Sequence, residues 1–121
     1  MFMARVQHKW DEDQPIYKQL MDRLVHGILE KKYPEGEMLP SVRLLASEFS
    51  INPLTVAKAY KELARDGLTE RHRGEGLMVT KGARAQLLRT ERSKFLKEEW
   101  PTLRTRLRVL GIDLKTLEAD A

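Results

Sequence analysis

Two helix-start signals stand eleven residues apart in this chain, and between them they leave few folds open. Ser41 precedes "VRLLASEF" and Asn52-Pro53 precedes "LTVAKAYKELARD", with the short stretch "SIN" as the turn. A Ser or Asn just before a helix accepts a hydrogen bond from an N–H of the first turn that would otherwise lack a partner. A proline at the first helical position gives up only an N–H that has no use there. Gly67 supplies the stop, because a glycine just past a helix adopts the left-handed conformation that closes it. Leu44, Leu45 and Phe49 are the expected buried side of the shorter helix, and Val56, Ala59, Tyr60 and Leu63 that of the longer one. Two helices joined by so tight a turn make a helix-turn-helix.

The flanking segments extend this unit. "PIYKQLMDRLVHGILEKKY" reads as a first helix with Pro15 at its first position. Ile16, Leu20, Leu24 and Ile28 recur every four residues, beside Tyr17 and Met21, and form its apolar stripe. "YPEGEMLP" reads as a turn segment. After Gly67, "LTERHRGEGLMVTKG" alternates loosely around a glycine-rich centre, which predicts a β-hairpin with "HRGEG" at its tip and Leu77, Met78 and Val79 on the return strand. The order helix, helix, turn, helix, hairpin is that of a winged helix-turn-helix. The expected fold class is therefore mainly α with a small β-hairpin: a winged domain over residues 1–82 and a helical tail over residues 83–121.

The tail has its own pattern. "ARAQLLRTERSKFLKEEW" is helical and basic, and Pro101 either begins a new helix or kinks the old one. Leu103, Leu107, Leu110, Leu114 and Leu117 repeat with the spacing of a coiled-coil seam. Gly111 interrupts that seam, so two helices are expected rather than one rod. A tail of this length cannot build a useful core alone. Pairing with a second copy is the economical way to cover its apolar side, and Leu88, Phe95, Leu103, Leu107, Leu110, Leu114 and Leu117 are the expected homodimer contacts.

Composition narrows the function. With no cysteine among 121 residues, disulfides, thiolate metal sites and thiol nucleophiles are excluded. His8, His26 and His72 fall in different segments with no ligand spacing, and no phosphate-cradling loop or nucleophile motif occurs. No metal, cofactor or catalytic role is implied. No apolar run approaches membrane-spanning length, so a cytoplasmic protein with no membrane partner is expected. The net charge of +4 favours a polyanion only weakly, because residues 1–82 hold 13 Lys/Arg against 12 Asp/Glu. Placement must carry the case.

Placement points to duplex DNA. In helix-turn-helix proteins the second helix offers its N-terminal residues to base edges in the major groove. Here that helix begins at Asn52 and offers Leu54, Thr55 and Lys58: a hydroxyl for a base edge or phosphate, methyl groups for thymine, and a cation for phosphate or guanine. Arg43 lies in the first turn of the preceding helix, where a phosphate contact fits. The hairpin tip offers Arg71, His72 and Arg73 beside two glycines, thin enough to enter a minor groove. Two other uses of such a fold remain open at this point, docking another protein and binding structured RNA.

The stretches "PIYKQL", "GEMLPSVRLLASEFSINPLTVAKAYKELARDGL" and "RGEGLMV" resemble successive signatures of the GntR family of bacterial transcription regulators, over about residues 14–80. "NPLTVAKAY" and the short tail with "LGIDLKTL" resemble its YtrA subfamily. The resemblance implies a small homodimeric repressor of its own operon, commonly transporter-linked, bound to a palindromic operator. It carries DNA contact over to Ser41, Arg43, Asn52, Thr55, Arg73, Gly74 and Gly76. Two short helices enclose little volume for a small-molecule effector, so either one binds at the dimer interface or there is none. This chain departs from the family pattern at three places. Lys31 replaces a usual glycine late in the first helix, which implies a different helix end. Asn52-Pro53 replaces Ser-Arg, which removes a base-reading arginine. Leu77-Met78 replaces Thr-Phe after the second wing glycine.

Overall fold

The first helix, α1, spans Ile16–Leu29 and buries Leu20, Leu24, Gly27 and Ile28, the positions that a four-residue repeat places on one side. The computed structural model describes residues 10–120; His8 and the rest of residues 1–9 lie outside them. Two expectations change at the start of α1. Pro15 has an extended ψ of 136° and stands before the helix as its cap rather than inside it. Ile16, although in register with the apolar stripe, is exposed: it lies in the first turn, beyond the reach of the core.

The other end of α1 is closed by a left-handed residue. The N–H of Lys32 donates to the Gly27 carbonyl at 2.8 Å and that of Lys31 to the Ile28 carbonyl at 3.1 Å. This is the Schellman arrangement, which requires a positive φ at the residue after the cap. Lys31 supplies it with φ 67°. The helix therefore ends as it would with a glycine there, and Lys31 carries the steric cost of about 1–2 kcal/mol that a Cβ incurs in this conformation. Gly27 is required for a different reason. A Cβ at this position would run into the ring of Tyr33, which folds back over the helix end and is buried.

Helix α2 spans Val42–Phe49 and α3 spans Pro53–Arg65. The Ser41 hydroxyl accepts from the Leu44 N–H at 3.1 Å, and Asn52 Oδ1 accepts from the Leu54 N–H at 2.8 Å, so both predicted caps are made. Ser50 ends α2 in the left-handed region with φ 56°. Val56, Ala59, Tyr60 and Leu63 are all buried, as their spacing predicts. Leu44 is not: it is 60% exposed, while Leu45, Ala46 and Phe49 make the inner side of α2. At 100° per residue an eight-residue helix cannot turn both Leu44 and Leu45 fully inward, and Leu45 is the one that shares a side with Phe49, one turn on. Helix α3 is the hub, packed against α1 and α2 and joined to the hairpin through a Gly67 turn with φ 78°. The Trp10 ring adds to this core from the N-terminal side, 5.9 Å from the Phe49 ring and stacked under the Arg23 guanidinium at 4.2 Å.

Strands β1 (Thr69–His72) and β2 (Gly76–Val79) pair antiparallel, from Thr69 opposite Val79 to His72 opposite Gly76. Gly74, with φ 77°, takes the left-handed place in the three-residue tip, and the Glu75 N–H closes the turn on the His72 carbonyl at 2.9 Å. The segment before α2 is more than a turn. The N–H groups of Gly36 and Leu39 donate to the carbonyls of Val79 and Leu77, and the Val79 N–H donates to Glu37. Met38 pairs with Met78, so this segment covers the free edge of β2. "YPEGEMLP" carries two prolines and two glutamates and shows no strand alternation, which is why the pairing is not legible locally.

Two compact units divide between Ala85 and Gln86. Helix α4 spans Ala83–Lys94 and starts within the first unit. The Arg84 N–H donates to Glu35 Oε2 at 2.9 Å, and its Nε donates to the Leu29 carbonyl at the end of α1, also at 2.9 Å. N–H groups of Arg84 and Gly82 hold the Glu35 carboxyl below the usual carboxylate range, with the Arg84 charge adding to them. The second unit holds the rest of α4, a π-helical turn over Phe95–Glu99, α5 (Trp100–Val109) and α6 (Leu114–Asp120). Pro101 has no N–H for the helical ladder, and the wider turn just before it lets the chain continue. Gly111, with φ 68°, then ends α5.

Candidate nucleic-acid interface

The start of α3 is shaped by its cap. Asn52 uses Oδ1 to accept from Leu54, which leaves its Nδ2 as a donor facing outward. Ser41 likewise accepts through Oγ and keeps its hydroxyl hydrogen. Each cap thus offers a donor beside a helix N-terminus, the combination that suits a phosphate oxygen. Leu54 is 76% exposed, the more notable because the core helix face begins two residues later. With Thr55, Lys58, Ile16 and Tyr17 it borders a shallow hollow of about 430 Å³ between the first turns of α1 and α3. Lys58 is exposed, but its ammonium rests over the Tyr17 ring at 4.1 Å. A cation held this way is positioned rather than trailing in solvent.

A second, larger groove of about 630 Å³ runs between α3 and the wing. Ser41 and Val42 at the start of α2, Ala57, Lys61 and Ala64 on α3, and Arg71 and Gly76 on the hairpin border it. Its floor is Tyr60, whose hydroxyl donates to the Pro40 carbonyl at 2.6 Å. Burial pushes the Tyr60 phenol up, with smaller contributions from Tyr33 and Glu48, so it stays a neutral donor. At the tip Arg73 and Gly74 are exposed, while His72 lies 3.6 Å from Glu70 and 4.0 Å from Glu75.

The predicted residues therefore fall around two neighbouring depressions. Leu54, Thr55 and Lys58 border the first, and Ser41 and Gly76 the second. Arg43, Asn52, Arg73 and Gly74 are exposed but border neither. Sequence reasoning did not single out Lys61, Ala57 or Ala64. Their signal was the outer stripe of α3 at spacings of three and four, which becomes informative only once the wing is known to face it.

A helix-turn-helix with a short hairpin wing and an N-terminal helix packed on α3 defines a winged-helix domain. The profile described as "Bacterial regulatory proteins, gntR family" matches residues 16–79. The HTH-type transcriptional repressor YtrA of Bacillus subtilis (strain 168) is 36% identical over 103 residues, which cover 85% of this chain and 78% of that protein. A GntR family transcriptional regulator from Listeria monocytogenes has a solved structure that matches with a TM-score of 0.68 and 32% identity, over 91% of this chain and 95% of that one. The solved YtrA from Sulfolobus acidocaldarius, a GntR-family transcription factor, matches with a TM-score of 0.56 and 27% identity, over 88% and 97%. This chain belongs to the GntR family, and its likeness to YtrA proteins runs through the tail as well as the winged domain. It is a DNA-binding transcription regulator.

Proposed function

We propose that the protein is a homodimeric repressor that binds a palindromic operator in front of its own operon. The observation that carries this reading is the grouping of two capped helix starts and a thin basic-tipped wing around α3. Thr55 and Leu54 read base edges from the first turn of α3, while Ser41, Arg43, Asn52 and Lys58 hold phosphates. Arg73, with Gly74 and Gly76 keeping the tip narrow, enters the adjacent minor groove. Repression is supported by the relatives, among them the B. subtilis YtrA repressor.

Dimerisation is supported by the second unit. Leu88, Phe95, Leu103, Leu110, Leu114 and Leu117 are exposed in the single chain, and Leu107 is half-buried. A second copy covers such a surface and gives the protein the two-fold symmetry a palindrome requires. Between α5 and α6 an open hollow of about 490 Å³ combines Trp100 with Arg104 and Arg108, and because Leu107 and Leu114 of the seam border it, a second copy would close it into an effector site at the dimer interface.

The test is fluorescence anisotropy on the duplex upstream of the gene, against excess unrelated DNA at near-physiological salt, with the oligomeric state followed by sedimentation. Saturable binding that resists competitor is expected, from a dimer. Thr55→Ala should relax sequence preference, while Arg73→Ala should weaken binding with less change in preference. If both variants fold and bind as the unaltered protein does, this assignment of the DNA surface is wrong.

A further inference from the structure

Resting on the DNA-bound reading above, we propose that the groove between α3 and the wing seats the phosphodiester strand that divides the two DNA grooves, with Lys61 and Arg71 as its phosphate contacts. Major and minor grooves alternate along a duplex, and a single sugar–phosphate strand separates each pair. If α3 enters a major groove and the hairpin tip the neighbouring minor groove, one such strand must pass between helix and wing. The channel there is the 630 Å³ groove floored by Tyr60.

Its chemistry fits that occupant. Lys61 on the helix wall and Arg71 on the wing wall are exposed, and neither has an ion pair among the described residues. Ala57 and Ala64 line the helix wall with the smallest side chains that keep a helix, leaving room for a backbone to approach. Ser41 adds a hydroxyl donor at one end, and Gly76 contributes no side chain on the wing side. Glu75 also borders the groove and would repel a phosphate, although its carboxylate lies 4.0 Å from His72 Nδ1. Arg65, nearby on the same helix, is by contrast paired with Glu62 at 3.4 Å. Lys61 and Arg71 are the cations of α3 and the wing that border this groove, and Lys58 and Arg73 lie outside it.

The experiment measures operator affinity and its salt dependence for five variants of the full chain, each checked for an unchanged circular dichroism spectrum and melting curve. Lys61→Gln and Arg71→Gln should each weaken operator and unrelated DNA alike, by on the order of 10-fold, and reduce the slope of log K against log salt by about 0.9 for every copy engaged. Glu75→Gln should strengthen binding. Ala64→Leu should weaken it by filling the channel, with the salt slope nearly unchanged. Lys115→Gln in the tail removes the same charge elsewhere and should change neither affinity nor slope.

The two readings fail separately. If the unaltered protein shows no saturable DNA binding, the DNA-bound reading falls and takes this one with it. If it binds the operator but Lys61→Gln, Arg71→Gln and Ala64→Leu leave affinity and slope in place, only the strand assignment is overturned. Weakening by Lys61→Gln and Arg71→Gln no greater than by Lys115→Gln would also overturn it, as a general charge effect.

Discussion

Removing one oxygen tests how the recognition segment is anchored. Tyr60 is buried on α3, and its hydroxyl donates to the Pro40 carbonyl at 2.6 Å, one residue before the Ser41 cap of α2. Tyr60→Phe keeps the ring and its packing and removes that bond. A neutral hydrogen bond contributes about 1 kcal/mol net, and leaving its partner unpaired in a dry site raises the cost to about 3 kcal/mol. The groove above Tyr60 is open enough for water to reach Pro40, so the lower figure applies, about 1–1.5 kcal/mol. With a urea slope of about 1–3 kcal/mol per molar, the unfolding midpoint should fall by roughly 0.5 M at neutral pH with the slope itself unchanged.

The same variant has a second signature. Burial raises the folded-state pKa of Tyr60 above that of the unfolded phenol, near 10. Its stabilising contribution is then complete below about pH 10 and declines as pH rises beyond it, because the unfolded chain loses the proton first. The stability gap between the unaltered protein and Tyr60→Phe should therefore shrink above pH 10. A loss beyond about 3 kcal/mol would refute the argument by showing that the ring itself had moved. No loss would show that the bond is not made in solution.

Two further expectations concern the base of the winged domain. Glu35→Gln removes a carboxylate held below its usual range by the N–H groups of Arg84 and Gly82, so stability should fall at neutral pH. The depressed pKa makes that contribution present above about pH 4.3 and lost as pH drops through the folded value, so the two proteins should converge in acid urea titrations. Gly27→Ala sets a gain in helix propensity of about 1 kcal/mol against displacement of the Tyr33 ring, which costs about 1–3 kcal/mol. Net destabilisation is expected, and in a Tyr33→Ala background the same change should become stabilising by about 1 kcal/mol. Calorimetry on the four members of the cycle checks the sign reversal.

The sequence by itself determined whatever depends on neighbours along the chain. Capping needs only a side chain next to a helix start, so Ser41 and Asn52-Pro53 announced α2 and α3, and Gly67 marked where α3 stops. The inner face of α3 followed from helical spacing alone. The wing followed from glycines at a place where the chain must turn. Most of the proposed DNA contacts could be named for the same reason: Leu54 and Thr55 lie in a first turn that has no packing duty.

Tertiary structure decided what depends on distant partners. Leu44 and Leu45 are equally apolar neighbours, and the packing of α2 buries Leu45 and leaves Leu44 exposed. Lys31 was legible only as a lysine in the place of a usual glycine, which implied a different helix end; the closing bonds to Gly27 and Ile28 instead hold it in the positive-φ conformation a glycine would take. The segment before α2 joined β2 only once the hairpin presented a free edge, 40 residues further on in the pairing of Met38 with Met78. The groove holding Lys61 opposite Arg71 exists for that reason too. Lys61 has no local reason to be singled out, and Arg71 was legible only as a cation near the hairpin tip; the groove between them is made by a helix and a strand that meet only when the chain has folded.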